Sequence, residues 1–140
     1  MDAIRTPEER FDNLKDYSFD TRYIEVPAGD GSNLRMHYLD EGQGELILCM
    51  HGQPSWSYLY RKMIPVLVEA GYRVVAPDLI GFGKSDKLTT RSDYTYANHV
   101  FWMKGFIEAL DLRGMTIIGQ DWGSLIGFRL VAENVDRFAR

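Results

Sequence analysis

The chain has 140 residues, 45% of them hydrophobic and 26% charged, with a formal net charge of -4 at pH 7. That is an ordinary globular composition for one modest domain. An acidic chain without a basic stripe gains no phosphate neutralisation, so a dedicated nucleic-acid binder is excluded. Cys49 is the sole cysteine, which leaves neither an intrachain disulfide nor a cysteine-rich metal site.

The N-terminal stretch from Met1 to Arg10 has no apolar signal core, and no run approaches the roughly 18 apolar residues of a spanning helix. The expected setting is cytoplasmic, with no membrane contact. The first twenty residues are charged and expected to wrap a core, with Asp12, Asp16 and Asp20 on a solvated face. Arg22–Pro27 and Leu34–Leu39 alternate like strands around the turn-rich segment 28–33, predicting an opening hairpin. Glu45 to Met50 is a short apolar run, read as a strand whose end delivers His51-Gly52-Gln53-Pro54.

From Tyr58 to Glu69, Leu59, Met63 and Leu67 recur at i, i+4 spacing with Tyr60, Ile64 and Val68 alongside, predicting one helix with a buried face. Gly71 ends it. Arg73–Ala76 reads as the next strand, Lys87–Asp93 as an exposed polar loop, and Tyr96 to Leu110 as an amphipathic helix carrying Val100, Met103 and Ile107 inward. Tyr94, Tyr96, Phe101 and Trp102 are expected in the core. Met115–Ile118 is a buried strand by its apolar, β-branched content, and Leu125, Ile126, Phe128, Leu130 and Val131 form a helical stretch toward Asn134. Strands alternating with helices predict an α/β fold with a mostly parallel sheet and helices on both faces.

Gly119-Gln120-Asp121-Trp122-Gly123 lies between that last strand and helix. A side chain on so sharp a turn is held exposed, and small neighbours two positions away let strand and helix approach closely. The positive end of the following helix favours an ionised carboxylate at Asp121. The alternative for Asp121 is a simple helix cap. His51-Gly52-Gln53-Pro54 sits where an oxyanion loop sits, so that the amides of Gln53 and Trp122 form the hole; the alternative is a surface turn with an incidental histidine. Asp78 to Ser85 nearly reproduces a phosphate-binding loop, with Asp78 where its first glycine belongs, which leaves a nucleotide-binding module as a remote reading.

The segments His51 to Arg61 and Pro77 to Asp86, joined to Gln120-Asp121-Trp122-Gly123, resemble haloalkane dehalogenases of the α/β-hydrolase superfamily, as do Thr6 to Leu14 and Met36 to Gly42. The resemblance implies that residues 1–140 form the N-terminal part of an α/β-hydrolase core, the first half of its sheet. It implies that Asp121 displaces halide from a small halogenated hydrocarbon to form an alkyl ester, which water then hydrolyses without a cofactor. A carboxylate suits that task because its ester can be hydrolysed, whereas a serine would leave an ether. Trp122 resembles the family's halide donor, and Gln53 joins it at the oxyanion and halide site.

His51 precedes the nucleophile, whereas these hydrolases run nucleophile, acid, histidine along the chain, so it is assigned to orienting the loop. After Asp121 the only acids are Glu133 and Asp136, and no histidine follows. The 140 residues alone are therefore expected not to sustain turnover, and a complementing C-terminal fragment is a conceivable partner. Epoxide hydrolases share the elbow aspartate and remain an alternative, as does a catalytically inactive fragment.

Overall fold

A computed structural model describes all 140 residues. The main sheet has five strands, in the spatial order β2 (Arg22–Pro27), β3 (Asn33–Glu41), β5 (Tyr72–Pro77), β4 (Glu45–Met50) and β7 (Thr116–Gly119). Strands β2 and β3 form the antiparallel hairpin, with Val26 opposite Leu34. β3 then pairs antiparallel with β5. The central β4 runs parallel to both β5 and β7. Helical crossovers make the parallel pairs: α1 (Met63–Glu69) between β4 and β5, and α2 (Tyr96–Ala109) between β5 and β7. Helix α3 (Trp122–Glu133) follows β7.

Strand β4 shows how a covered strand serves two layers. Leu46, Leu48 and Met50 join the larger core of 20 buried residues with Trp102, Phe106, Ile126 and Leu130. Ile47 and Cys49 point the other way, into a smaller cluster with Tyr60 and Ile64, on which Tyr17 and Phe19 of the N-terminal segment pack. Successive side chains of a strand alternate faces, so an unbroken apolar run is what two covered faces require. Cys49 is fully buried in this strand, and burial pushes its thiol up to about 12.

Two expectations about these elements differ from the structure. The helix predicted over Tyr58–Glu69 is divided into a 3-10 turn, Ser57–Tyr60, and α1. Pro65 explains the break: in a continuous helix it would remove an interior backbone bond, whereas in the first turn of α1 its missing N–H costs nothing. Only Tyr60 and Ile64 are buried from the proposed face, while Leu59 and Met63 are exposed. The polar run after Asp86 is not a bare loop, because β6 (Lys87–Leu88) pairs antiparallel with β1 (Ala3–Ile4) and buries Leu88. In α3, Ile126 and Leu130 pack inward but Leu125 and Phe128 face out.

Beyond α3 the chain turns back along β7. Met115 bridges Phe138 in parallel, the Ile117 N–H donates to the Arg140 carbonyl at 3.0 Å, and the Ala139 N–H donates to the Met115 carbonyl at 2.8 Å.

Candidate active site

The site lies where β4 and β7 end together. Their register sets Cys49 against Ile118 and Met50 against Gly119, so His51 and Gln120 leave the sheet side by side. The Gln120 N–H stays bonded to the Met50 carbonyl at 3.0 Å. The next residue, Asp121, has φ 54° and ψ -125°, a conformation that L-residues rarely adopt. It turns the chain from strand into α3 within one residue.

The neighbouring glycines make that turn fit. A Cβ on Gly123 would lie 2.2 Å from the Met50 carbonyl oxygen, and one on Gly52 would lie 2.5 Å from the Asp121 Cβ. The oxyanion-type loop and the elbow therefore touch backbone to backbone. No side chain larger than hydrogen fits between them.

Across this contact the Gln53 N–H donates to Asp121 Oδ1 at 2.9 Å, and the Gly52 N–H donates to Gln120 Oε1 at 3.2 Å. The Asp121 side chain makes no helix-capping bond, so a simple cap does not describe it. The Trp122 N–H, and then the Gln53 N–H, hold the Asp121 carboxyl below the usual carboxylate value, because both donors favour the charged form. The carboxylate is exposed. The structure thus brings Gln53, Asp121 and Trp122 together, at the end of the sheet where ligands bind in open α/β folds.

His51 is fully buried and both ring nitrogens are occupied. Nδ1–H donates to the Gly52 carbonyl at 2.9 Å, and Nε2 accepts the Leu79 N–H at 2.9 Å. Burial pulls the imidazole below its ordinary value despite the Gly52 bond. A neutral ring with both nitrogens engaged has no lone pair for a reacting water.

Beside Asp121 opens a cleft of about 380 Å³, whose wall includes Gln53, Phe82, Tyr94, Tyr96, His99 and Trp122. Trp122 is 40% exposed there, with its ring 6.2 Å from that of Tyr96. The expectation that four aromatics fill the core is corrected in part. Trp102 is fully buried and donates from Nε1 to the Ala28 carbonyl at 3.1 Å, but Phe101 is exposed and Tyr94 and Tyr96 line the cleft. Sequence reasoning missed His99. Burial pulls its imidazole down to about 4, so it faces the cleft as a neutral ring at pH 7. The available signal was its i, i+3 spacing from Tyr96 on a helix whose N-cap, Thr95, accepts the Asn98 N–H.

The phosphate-loop reading fails on hydrogen bonding. The amides it would offer are used within the loop: Gly81 donates to Asp86, Phe82 to Leu79, and Lys84 to the buried Asp78 carboxylate. The chain then continues into β6, not a helix. No group of three or more His, Cys, Asp or Glu residues is placed to hold a metal ion. No helix is long and apolar enough to cross a membrane.

The strand order, the elbow and the facing loop define a class. Residues 45–140 match the family model described as the alpha/beta hydrolase fold, and the chain belongs to that family. Within it, the chain is 58% identical to a haloalkane dehalogenase of Psychrobacter cryohalolentis and 56% identical to one of Mycobacterium marinum. Both alignments cover all of this chain, and 47% and 48% of those proteins. The chain therefore spans about half the length of the curated relatives it matches.

Among solved structures, the tetrameric haloalkane dehalogenase DpaA of Paraglaciecola agarilytica superposes with a TM-score of 0.92 at 46% identity, over 99% of this chain and 47% of that one. An epoxide hydrolase of Vigna radiata superposes at 0.75 with 33% identity, over 86% of this chain and 36% of that one.

Proposed function

We propose that the protein to which these residues belong hydrolyses haloalkanes to alcohol and halide, and that residues 1–140 are the N-terminal part of its core domain. The observation that carries this reading is the Asp121 carboxylate, exposed beside a cleft and held at 2.9 Å by the Gln53 N–H. A carboxylate fixed in its charged form can attack an sp³ carbon from behind. The carbon–halogen bond breaks as the carbon–oxygen bond forms, and the halide leaves with the electron pair.

The departing halide needs donors in a dry site, since stabilising developing charge is usually the largest catalytic contribution. The Trp122 indole N–H is assigned that task. The amides of Gln53 and Trp122 first hold the carboxylate, then the oxyanion formed when water attacks the ester. His51 fixes the loop. His51 has both nitrogens engaged, His37 is buried against Asp78, and burial leaves the cleft-facing His99 a weak base, so the water-activating base is assigned to a residue outside this chain.

The test is single-turnover halide release with intact mass. The protein carrying this chain should form a transient alkyl adduct on Asp121 and then turn over, and Asp121→Asn should abolish both. Undiminished halide release from Asp121→Asn would refute the nucleophile assignment. The 140 residues alone should show no sustained turnover, since the one histidine facing the cleft, His99, is depressed to about 4 and is a poor base for water; adding a C-terminal segment that restores turnover would identify it as the complementing partner.

The likeness to an epoxide hydrolase supports a second reading, in which the same carboxylate opens an epoxide. Of the two tyrosines lining this cleft, the Tyr96 hydroxyl donates to the Leu125 carbonyl at 2.9 Å and the Tyr94 hydroxyl is bonded to the Leu88 backbone, so an acid for the epoxide oxygen would have to come from elsewhere. Turnover of epoxides with no halide release from haloalkanes would favour that reading.

A further inference from the structure

The Gln53 amide sits on a loop, His51 to Ser57, that has no regular structure until the 3-10 turn at Ser57. Both ends of this loop are tied to one dipeptide, Asp78-Leu79, at the end of β5. The near end is held through His51, whose Nε2 accepts the Leu79 N–H. The far end is held by Asp78, whose Oδ1 accepts the Ser57 N–H at 2.8 Å.

Asp78 is itself fixed from every side. Its side chain is fully buried. Oδ2 accepts the Lys84 N–H at 2.9 Å and the His37 Nδ1–H at 2.8 Å. Its N–H donates to the His37 carbonyl at 2.8 Å, and its carbonyl accepts the Ser85 hydroxyl at 2.7 Å. A Cβ on Gly83 would lie 2.2 Å from Oδ2, so the glycine is what lets the Lys84 amide reach the carboxylate. Burial alone would push this carboxyl up; the His37 bond and charge and the Lys84 N–H outweigh it and leave it below its ordinary value. Three N–H donors, from Ser57, Lys84 and His37, converge on this one buried carboxylate. Their common effect is to fix the point from which Ser57 hangs.

We infer that Asp78 is a positioning residue for the site: with His37 and the Leu79 amide, it clamps both ends of the 51–57 loop so that the Gln53 N–H stays aimed at Asp121. This rests on reading Asp121 as the reacting carboxylate. Trp122 belongs to α3 and is not part of the clamp, so the two donors should respond differently when the clamp is released.

The experiment uses the protein carrying this chain. The pH response of the Gln53 amide in proton–nitrogen NMR reads its contact with the Asp121 carboxylate without any need for catalysis. Single-turnover ester formation reads its consequence, and inhibition by bromide reads the halide site. In Asp78→Asn a side-chain amide must face the Lys84 N–H or the Ser57 N–H donor to donor. The expected result is loss of the Gln53 pH response and ester formation slowed up to about 100-fold, as for an ångström-scale misplacement, with bromide inhibition, to which the Trp122 indole still contributes, reduced less. A folded Asp78→Asn protein with lower stability but wild-type Gln53 response and ester formation would overturn the proposal.

If Asp78→Asn does not fold, Gly83→Ala, which crowds the same carboxylate, is compared with His37→Asn, which keeps a donor toward it. Loss of the Gln53 response in Gly83→Ala supports the clamp, and a wild-type response in both folded variants overturns it. Full turnover by Asp121→Asn would remove the reaction reading, while the Gln53 titration would still decide for or against the clamp.

Discussion

Two glycines of α3 make opposite predictions from one substitution. Alanine at Gly123 would place a Cβ 2.2 Å from the Met50 carbonyl oxygen and 2.5 Å from that of His51, where a carbon–oxygen contact ordinarily needs about 3.3 Å. Backbone must retreat by about 1 Å. The Met50 carbonyl also accepts the Gln120 N–H at 3.0 Å and the Tyr60 hydroxyl at 2.8 Å, so its retreat weakens two bonds worth about 1 kcal/mol each. Overpacking adds about 1–3 kcal/mol, giving a loss of about 3–5 kcal/mol in all. That is a large share of a typical folding free energy of about 5–15 kcal/mol.

At Gly127 the nearest atom to an added Cβ is the Ile117 Cδ1 at 2.4 Å, and the next atoms are at 3.6 Å. The end of a half-buried side chain can change rotamer for about 0.5–1.5 kcal/mol, against about 1 kcal/mol gained by replacing a mid-helix glycine. Gly127→Ala should therefore stay within about 1 kcal/mol of the parent. Urea unfolding of the protein carrying this chain, followed by circular dichroism, measures both. A Gly123→Ala variant within about 1 kcal/mol of Gly127→Ala would refute the reasoning, since it would mean that β4 and α3 do not meet through backbone.

Donors on Asp121 stabilise its charged form, so the acid limb of ester formation should lie below the ordinary carboxylate range; stopped-flow halide release against pH reads it, and an acid limb above that range would contradict it. His99 is depressed to about 4 by burial, against about 6.5 in an unfolded chain. The unfolded state takes its proton first, so stability is complete above about 6.5 and falls as pH drops toward about 4, by about 1–3 kcal/mol. His99→Asn should flatten that slope in thermal melts taken from pH 7 to pH 4. Tyr60→Phe removes one of two donors to the Met50 carbonyl and should cost about 1 kcal/mol, measured by the same urea titration. Trp122→Phe should weaken bromide inhibition about tenfold or more while leaving the fold intact, since the ring already lies partly in solvent.

Strands with an apolar, β-branched content were legible residue by residue: Arg22–Pro27 and Glu45–Met50 form over the stretches expected. The elbow was legible because its demands are local, a carboxylate on a tight turn with glycine at Gly119 and Gly123. What was not legible depends on partners distant in sequence. Lys87-Leu88 looks polar and looped until Ala3-Ile4 arrives beside it. Tyr96 cannot be sorted from Trp102 by hydrophobicity, because what separates them is which side of α2 meets the β2 hairpin, and Tyr94 precedes that helix. The division of Tyr58–Glu69 was readable from Pro65, but i, i+4 periodicity outweighed it. The Asp78 cluster joins residues 37, 57, 78 and 84, a set with no common spacing.

The outer side of α3 and the edge at β7 have a practical consequence for anyone making these 140 residues alone. Trp122, Leu125, Phe128 and Val135 are 40%, 54%, 69% and 70% exposed, and the free side of β7 is occupied only along the bonds made by residues 137–140. Exposed apolar surface and unpaired strand backbone are each a usual route to self-association. In concentrated solution the chain should sediment as oligomers, and replacing Leu125 and Phe128 by glutamate should return it to a monomer without touching Asp121. Trp122 sits at one end of that surface, so its emission should blue-shift as copies assemble, giving an optical signal of the transition built into the protein itself.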